Sequence, residues 1–274
     1  MLLLAALLAL VIGVVLGMLG GGGAILTLPM LVYAVGVDPK VAIATSLFVV
    51  GCTSVVGASI HARAGRVRWK IGGIFGATAM AGAFGGGRIA AFVPATVLLG
   101  LFALMMLVTA TAMLRRRAKP PAAPRELALG RVLALGAGVG SVSGLVGAGG
   151  GFLIVPALTL FGGLAIHEAI GTSLFVISLQ SFAGFAGHAS HVEIDWTLVA
   201  IVTGAAVAGS VIGALLGRRI SADALRRGFA WLVVAMGIFV IGKQVPIAVT
   251  VVIAAVTLAA VVLLTRRRAG PVPD

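Results

Sequence analysis

Slid against itself by 127 residues, the sequence aligns 17–69 with 144–196 without an insertion, and about 20 of the 53 columns are identical. Gly20 falls on Gly147, Pro29 on Pro156, ATSLFV (Ala44–Val49) on GTSLFV (Gly171–Val176), His61 on His188 and Trp69 on Trp196. A shared apolar composition would not reproduce the Gly, Pro, His and Trp columns. The chain therefore carries two copies of one unit. Membrane transporters are often built from such copies, with the site between them.

The chain is 61% hydrophobic and 10% charged, with a mean hydropathy of +1.21. Apolar runs of about 20 residues in such a composition mean membrane spans. The runs are continuous and rich in Ala, Leu and Val, which excludes the alternating pattern of an outer-membrane barrel. The net charge of +13 sits in clusters between apolar runs, so it sets orientation in the bilayer and does not point to nucleic acid. The single cysteine, Cys52, forms no internal disulfide. The first run, MLLLAALLALVIGVVLG, lacks a basic leader and a cleavage site before polar sequence, and reads as a retained helix.

Apolar segments fall at 1–16, 24–36, 40–62, 69–90 and 94–114, then at 128–144, 151–163, 167–189, 196–217, 222–242 and 245–265. The segments 24–36 and 151–163 are only 13 residues, roughly 20 Å of helix against a ~30 Å hydrocarbon core. Each copy thus opens with a hairpin: helix, glycine turn, short helix returning to the starting face. Basic clusters at Arg63/Arg66/Arg68/Lys70, Arg115–Arg131, Arg218–Arg227 and Arg266–Arg268 share one side only if the hairpins return. The aligned loops HARAGRVRW and HASHVEIDW then face opposite ways, one basic and one acidic. The expected fold is an all-α polytopic membrane protein of two inverted repeats with about eight or more membrane helices. Its parts are a first repeat over 1–114, a basic cytoplasmic linker over 115–127, a second repeat over 128–265 and a cytoplasmic tail over 266–274. The N-terminus is expected outside and the C-terminus in the cytoplasm.

Gly20–Gly23 and Gly147–Gly151 break apolar segments. Glycine lets the backbone take φ > 0 and approach a ligand closely. Non-helical backbone at membrane depth survives only when buried in protein or lining a polar cavity. A helix starting after each turn aims free N–H groups inward, a device for holding an anion without a charged side chain. The polar residues near the turns are small: Thr27, Thr45, Ser46, Ser54, Ser143, Thr172, Ser173, Gln180 and Ser181. All seven acids, Asp38, Glu126, Glu168, Glu193, Asp195, Asp223 and Asp274, lie in expected loops, helix ends or tails. Cation and proton pumps usually carry a carboxylate at the membrane centre, so the substrate is expected to be anionic or neutral. His61 and His188 form the one repeat-matched ionisable pair. Two readings stand for them: proton coupling or gating, or an interfacial hydrogen bond at a helix end. Trp69 and Trp196 fit an aromatic belt, and Asp38-Pro39 and His167-Glu168 fit helix starts. Gly82, Gly85–Gly87, Gly204, Gly209, Gly213 and Gly217 have the spacing of close helix packing.

The glycine turn ending in Pro, the following ATSLF/GTSLF, the His near the end of that helix and the duplication together resemble the TauE/SafE family of sulfite exporter-like permeases. The resemblance implies an integral inner-membrane protein of about eight spans that moves sulfite, sulfonates or other small sulfur-containing anions. It implies a binding site at Gly20, Gly22, Gly23, Thr45 and Ser46 with Gly147, Gly149, Gly150, Thr172 and Ser173. The copies differ at Gly21/Ala148, Ala24/Gly151 and Thr53/Gln180, so Gln180 makes the half-sites unequal. The expected activity is secondary transport of a small anion by alternating access, coupled to H⁺ or Na⁺, with no cofactor, no metal and no catalytic residue. A channel-like anion pore and a membrane-embedded enzyme are the alternatives. HExxH, GxSxG and the G-x-G-x-x-G spacing are all missing from the sequence. The expected partners are the lipid bilayer and the anion, without nucleic acid. The oligomeric state stays open, a homodimer being one option.

Overall fold

The computed structural model describes residues 2–19, 25–115, 129–147, 154–155, 157–158, 164–216 and 222–244. These are helices joined by short turns. α1 covers Leu2–Leu19, and α2 covers Thr27–Pro29 and continues as a π-helical turn over Met30–Val35. α3 is Pro39–Arg63, α4 Trp69–Ala90, α5 Ala95–Arg115 and α6 Leu129–Val146. α7 is Ile166–Ala189, α8 Trp196–Leu216 and α9 Ala222–Gln244. The expected segments at 151–163 (apart from four helical residues), at 245–265 and in the tail lie outside the described residues, as does the linker after Arg115. Pro39–Arg63, His167–Ala189 and Trp196–Leu216 are long and apolar enough to cross a membrane. Shorter apolar helices span Leu2–Met18, Ala95–Thr111, Val132–Val146 and Ala230–Gln244.

Local chemistry sets the helix starts. The Asp38 carboxylate accepts from the N–H groups of Lys40 (2.9 Å) and Val41 (3.4 Å), with Pro39 at the first helical position. Asp195 does the same for α8, accepting from Thr197 (2.9 Å) and Leu198 (3.1 Å). Gly36, at φ 82°, stops the π-helical turn in the left-handed conformation that favours glycine.

Helix directions follow from which residues meet. A side chain at Gly51 would touch Phe182, one at Gly57 would touch Leu174, and one at Gly184 would touch Leu47. Numbers rise along α3 as they fall along α7, so these sequence-matched helices run antiparallel. In contrast, α1 runs parallel to α8: Gly13 lies on Ala206 and Gly17 on Ser210. α6 runs parallel to α4, with Gly140 on Ala79 and Gly144 on Ala83. The loop 64–68 joins α3 to α4 at one end of the bundle, and 190–195 joins α7 to α8 at the other. From these directions, α1 and α3 begin at the same end, and α6 and α7 begin at the opposite end.

The packing also exchanges partners between the copies. The first helix of each half lies on the fourth-segment helix of the other, α1 on α8 and α6 on α4, while α5 packs on α9. Trp196 makes an edge contact with Phe48 at 5.9 Å, and its sequence mate Trp69 makes one with Phe175, the mate of Phe48, at 5.1 Å. Both tryptophans remain more than half exposed, as a residue at a bilayer interface does. The α1–α8 and α4–α6 contacts bring backbones together at Gly13, Gly17, Gly209 and Gly213, and at Gly82, Gly86, Gly140 and Gly144.

A Cβ at Gly213 would collide with the Val14 carbonyl, whereas one at Gly204 on the same helix would meet nothing within 4 Å. Overpacking of this kind costs ~1–3 kcal/mol or more. Gly213→Leu is expected to lower the melting temperature of the detergent-solubilised protein by several degrees, and Gly204→Leu to leave it unchanged.

Candidate functional site

The described glycine turn is that of the second half. Gly147 follows α6 at φ 76°, and its N–H donates to the Ser143 carbonyl at 2.9 Å. A Cβ there would lie 2.6 Å from Ile43 Cγ2 and 3.2 Å from Ile43 Cα. Glycine is required twice over, by the backbone angle and by the approach of α3. The Gly147 carbonyl accepts from Ser46 Oγ at 3.0 Å, and the same hydroxyl also reaches the Ile43 carbonyl at 2.8 Å. The turn of one copy thus docks on the TSLF segment of the other. Gly20, Gly22, Gly23, Gly149 and Gly150 lie outside the described residues.

The two Thr-Ser pairs are buried. They sit near the starts of α3 and α7, which run antiparallel, with Gly171 of α7 against His61 of α3 and Leu47 of α3 against Gly184 of α7. About 13 residues of α3 separate Ser46 from the level of Ser173, or ~20 Å along the axis. The structure therefore does not gather Thr45, Ser46, Thr172 and Ser173 into one pocket. Thr45 Oγ1 has no partner among the described residues. Thr172 Oγ1 accepts the Arg68 N–H at 2.9 Å, and Ser173 Oγ donates to the Ile170 carbonyl at 2.8 Å. Beside them, the Arg68 guanidinium pairs with Glu168 at 2.6 Å, which raises the Arg68 pKa further above its ordinary value. This pair holds the basic loop of the first half over the start of α7.

The matched histidines stand in unequal surroundings. His188 is buried, and its Nε2 lies 2.8 Å from the Gly144 carbonyl. A carbonyl only accepts, so Nε2 carries the proton. His61 is half-buried, and its Nδ1 has no partner among the described residues. Gly17 is the sequence mate of Gly144. In the first half, Gly17 and His61 line a cavity of about 50 Å³ together with Leu16, Thr53, Gly57 and Ser210. At the other end of the bundle, Lys40, Ala90, Phe92, His188 and His191 line a larger cavity of about 250 Å³. The Lys40 ammonium donates to the Ala91 carbonyl at 2.8 Å.

Gln180, in the middle of α7, donates from Nε2 to Ser143 Oγ at 3.3 Å and is fully buried. Its level matches that of Ser54 and Ser181, whose hydroxyls are buried without a partner among the described residues. Both are among the small polar residues near the glycine turns, but they lie outside TSLF and so outside the site that the resemblance implies. The signal that finds them is their coincidence at the 127-residue offset. Among the described acids, Asp38 and Asp195 cap helices, Glu168 lies in a first turn and Glu193 in a loop.

The family model described as sulfite exporter TauE/SafE matches residues 5–240. A probable membrane transporter protein of Xylella fastidiosa is 37% identical over 240 residues, covering 85% of this chain and 92% of the relative. The probable membrane transporter protein YdhB of Bacillus subtilis is 31% identical over 208 residues, covering 74% and 85%. The probable membrane transporter protein MJ0441 of Methanocaldococcus jannaschii is 27% identical over 255 residues, covering 85% and 94%. No solved structure matches the chain.

Gly147→Ala is expected to destabilise the protein, because a methyl group at positive φ costs ~1 kcal/mol and must also displace Ile43. Gly138→Ala, which would meet nothing within 4 Å, is the control. A thermal melt in detergent that shows equal loss for both would remove the close-approach argument.

Proposed function

Because this chain belongs to the sulfite exporter TauE/SafE family, a family of membrane transporters, we propose that it is a secondary transporter of a small anion, sulfite or a related sulfonate, working by alternating access between two inverted repeats. The observation that carries this reading is the antiparallel packing of α3 on α7. Copies related by an axis along the membrane normal would run these matched helices parallel; copies related by an axis in the membrane plane run them antiparallel. The hairpins begin at opposite ends for the same reason, and the basic loop 64–68 and the acidic loop 190–195 lie on opposite sides. By the positive-inside rule the Arg68 end is cytoplasmic.

In this mechanism the anion passes the glycine turns, Gly20, Gly22 and Gly23 with Gly147, Gly149 and Gly150, with Thr45 and Ser46 towards one end of the path, Thr172 and Ser173 ~20 Å away towards the other, and Gln180 between them. Ser46 holds the second turn against α3. His61 and His188 act as gates, and their unequal state supports this. The His188 ring is latched to the Gly144 carbonyl, while the equivalent place beside Gly17 is a cavity. An alternating cycle requires that the two ends not be open together, and a coupling proton or sodium ion would bias which latch forms.

Two experiments test the proposal. Wild-type proteoliposomes given sulfite, thiosulfate, sulfate or sulfoacetate at varied pH and sodium are expected to show saturable uptake of at least one. Gly22→Val and Gly149→Val are expected to abolish that uptake without loss of membrane insertion. Flux that never saturates would favour a pore. In a Cys52→Ala background, a cysteine replacing Ala64 is expected to react with an impermeant thiol reagent only from the cytoplasmic face, and one replacing Ser190 only from outside. Labelling of both from one face refutes inversion.

A further inference from the structure

We propose that the midpoint of the α3–α7 seam, at Ser54 and Ser181, is an oxyanion-binding site; this rests on the transport reading above. A hydroxyl inside an apolar helix ordinarily donates to a carbonyl one turn back. Thr53 does so to Val49 at 2.9 Å, Thr109 to Met105 at 2.7 Å, Ser178 to Phe175 at 2.7 Å and Ser210 to Val207 at 2.8 Å. Ser54 and Ser181 do not. They are 1% and 0% exposed, and neither Oγ has a hydrogen-bond partner among the described residues. A buried hydroxyl left unpaired is costly. These two are sequence mates at the 127-residue offset and the one such matched pair among the unpartnered buried polar atoms described. A local packing accident would not be copied at the same column of both halves.

Their place in the fold fits a site. Ser54 lies on the stripe of α3 that carries Leu47, Gly51 and His61 toward α7, and Ser181 lies beside Phe182 on the face of α7 turned to α3. The antiparallel register sets Ser54 opposite residue 178, three positions from Ser181, or ~5 Å along the axis. Both are close to the centre of their helices, and so to the middle of the bilayer. The Gln180 amide lies at the same level. The cavity beside His61 reaches inward as far as Thr53, the residue before Ser54.

The donors determine what this site takes. Two hydroxyls and a nearby primary amide offer hydrogen bonds, and the described Lys, Arg, Glu and His side chains of α3 and α7 lie towards the ends of those helices. In a low-dielectric interior such donors bind a compact ligand whose surface is all acceptor oxygen carrying negative charge. A sulfonate or sulfite group has that form. The pair straddles the relation between the halves, so the anion keeps one serine from each half while the ends open in turn.

The test uses proteoliposomes and labelled sulfite, thiosulfate and sulfoacetate. Ser54→Ala and Ser181→Ala are each expected to raise the half-saturation concentration of the transported anion about tenfold, as loss of one hydrogen bond to a charged group does. Ser59→Ala, an exposed serine of the same helix bonded to the Val55 carbonyl, is expected to behave as wild type. A second measurement uses the purified protein in detergent. The choline salt of the transported anion is expected to raise the melting temperature of wild type and Ser59→Ala, and not that of the Ser54→Ala/Ser181→Ala double variant. Saturable wild-type flux that both serine variants reproduce, or an equal melting shift in the double variant, overturns the site alone. Wild-type vesicles that move none of the three anions overturn the transport reading and the site with it.

Discussion

The arrangement depends on backbones that touch. In a bilayer, apolar side chains gain little by leaving lipid for protein, so helix association rests on close van der Waals fit. Here the fit comes from glycine stripes, α1 on α8 and α4 on α6, where carbonyls occupy the space a Cβ would need. Each stripe joins the opening helix of one half to a later helix of the other. Neither half therefore completes its own packing, and the antiparallel seam of α3 and α7 is held between two such clasps.

That crossing explains why polar groups are tolerated inside. Ser46 reaches the carbonyl of a turn in the other half, Arg68 N–H reaches Thr172 Oγ1, and Trp69 and Trp196 lean on each other's Phe partners. Each contact is a between-halves bond that a single repeat could not make. Along its middle the seam they support carries hydroxyls, and its described carboxylate, Glu168, sits in the first turn of α7 paired with Arg68; that is the arrangement the proposed anion transport calls for.

The halves are equal in sequence pattern and unequal in state. His188 is latched and His61 is not, although both end the same helix of their copies. The difference lies in what surrounds them: Gly87 and Gly187 let α4 close on His188, whereas Ala214 and Ile60 stand at the matching positions beside His61. Unequal ends built from matched parts are what the proposed alternating cycle requires.

The duplication, the helical segments, the helix start at Asp38-Pro39, the first-turn place of Glu168 and the break at Gly147 were all legible in the residues. They depend on composition, local hydrogen bonding and an offset that can be counted along the chain. The TSLF serine that binds a glycine turn was also legible as a position, but its partner was not, because Ser46 bonds the other copy's turn. Thr45–Ser46 and Thr172–Ser173 match in sequence and stand ~20 Å apart, while Ser54 and Ser181, small polar residues outside the motif, lie within a turn of one level near the middle of the seam. Helices that are apolar all round carry no amphipathic stripe to say which face meets which neighbour. The sequence by itself determined a duplicated, membrane-embedded helical chain with broken segments; only the tertiary structure decided the antiparallel register that brings Ser54 within a turn of the level of Ser181, since register is a relation between helices and leaves no period within either one.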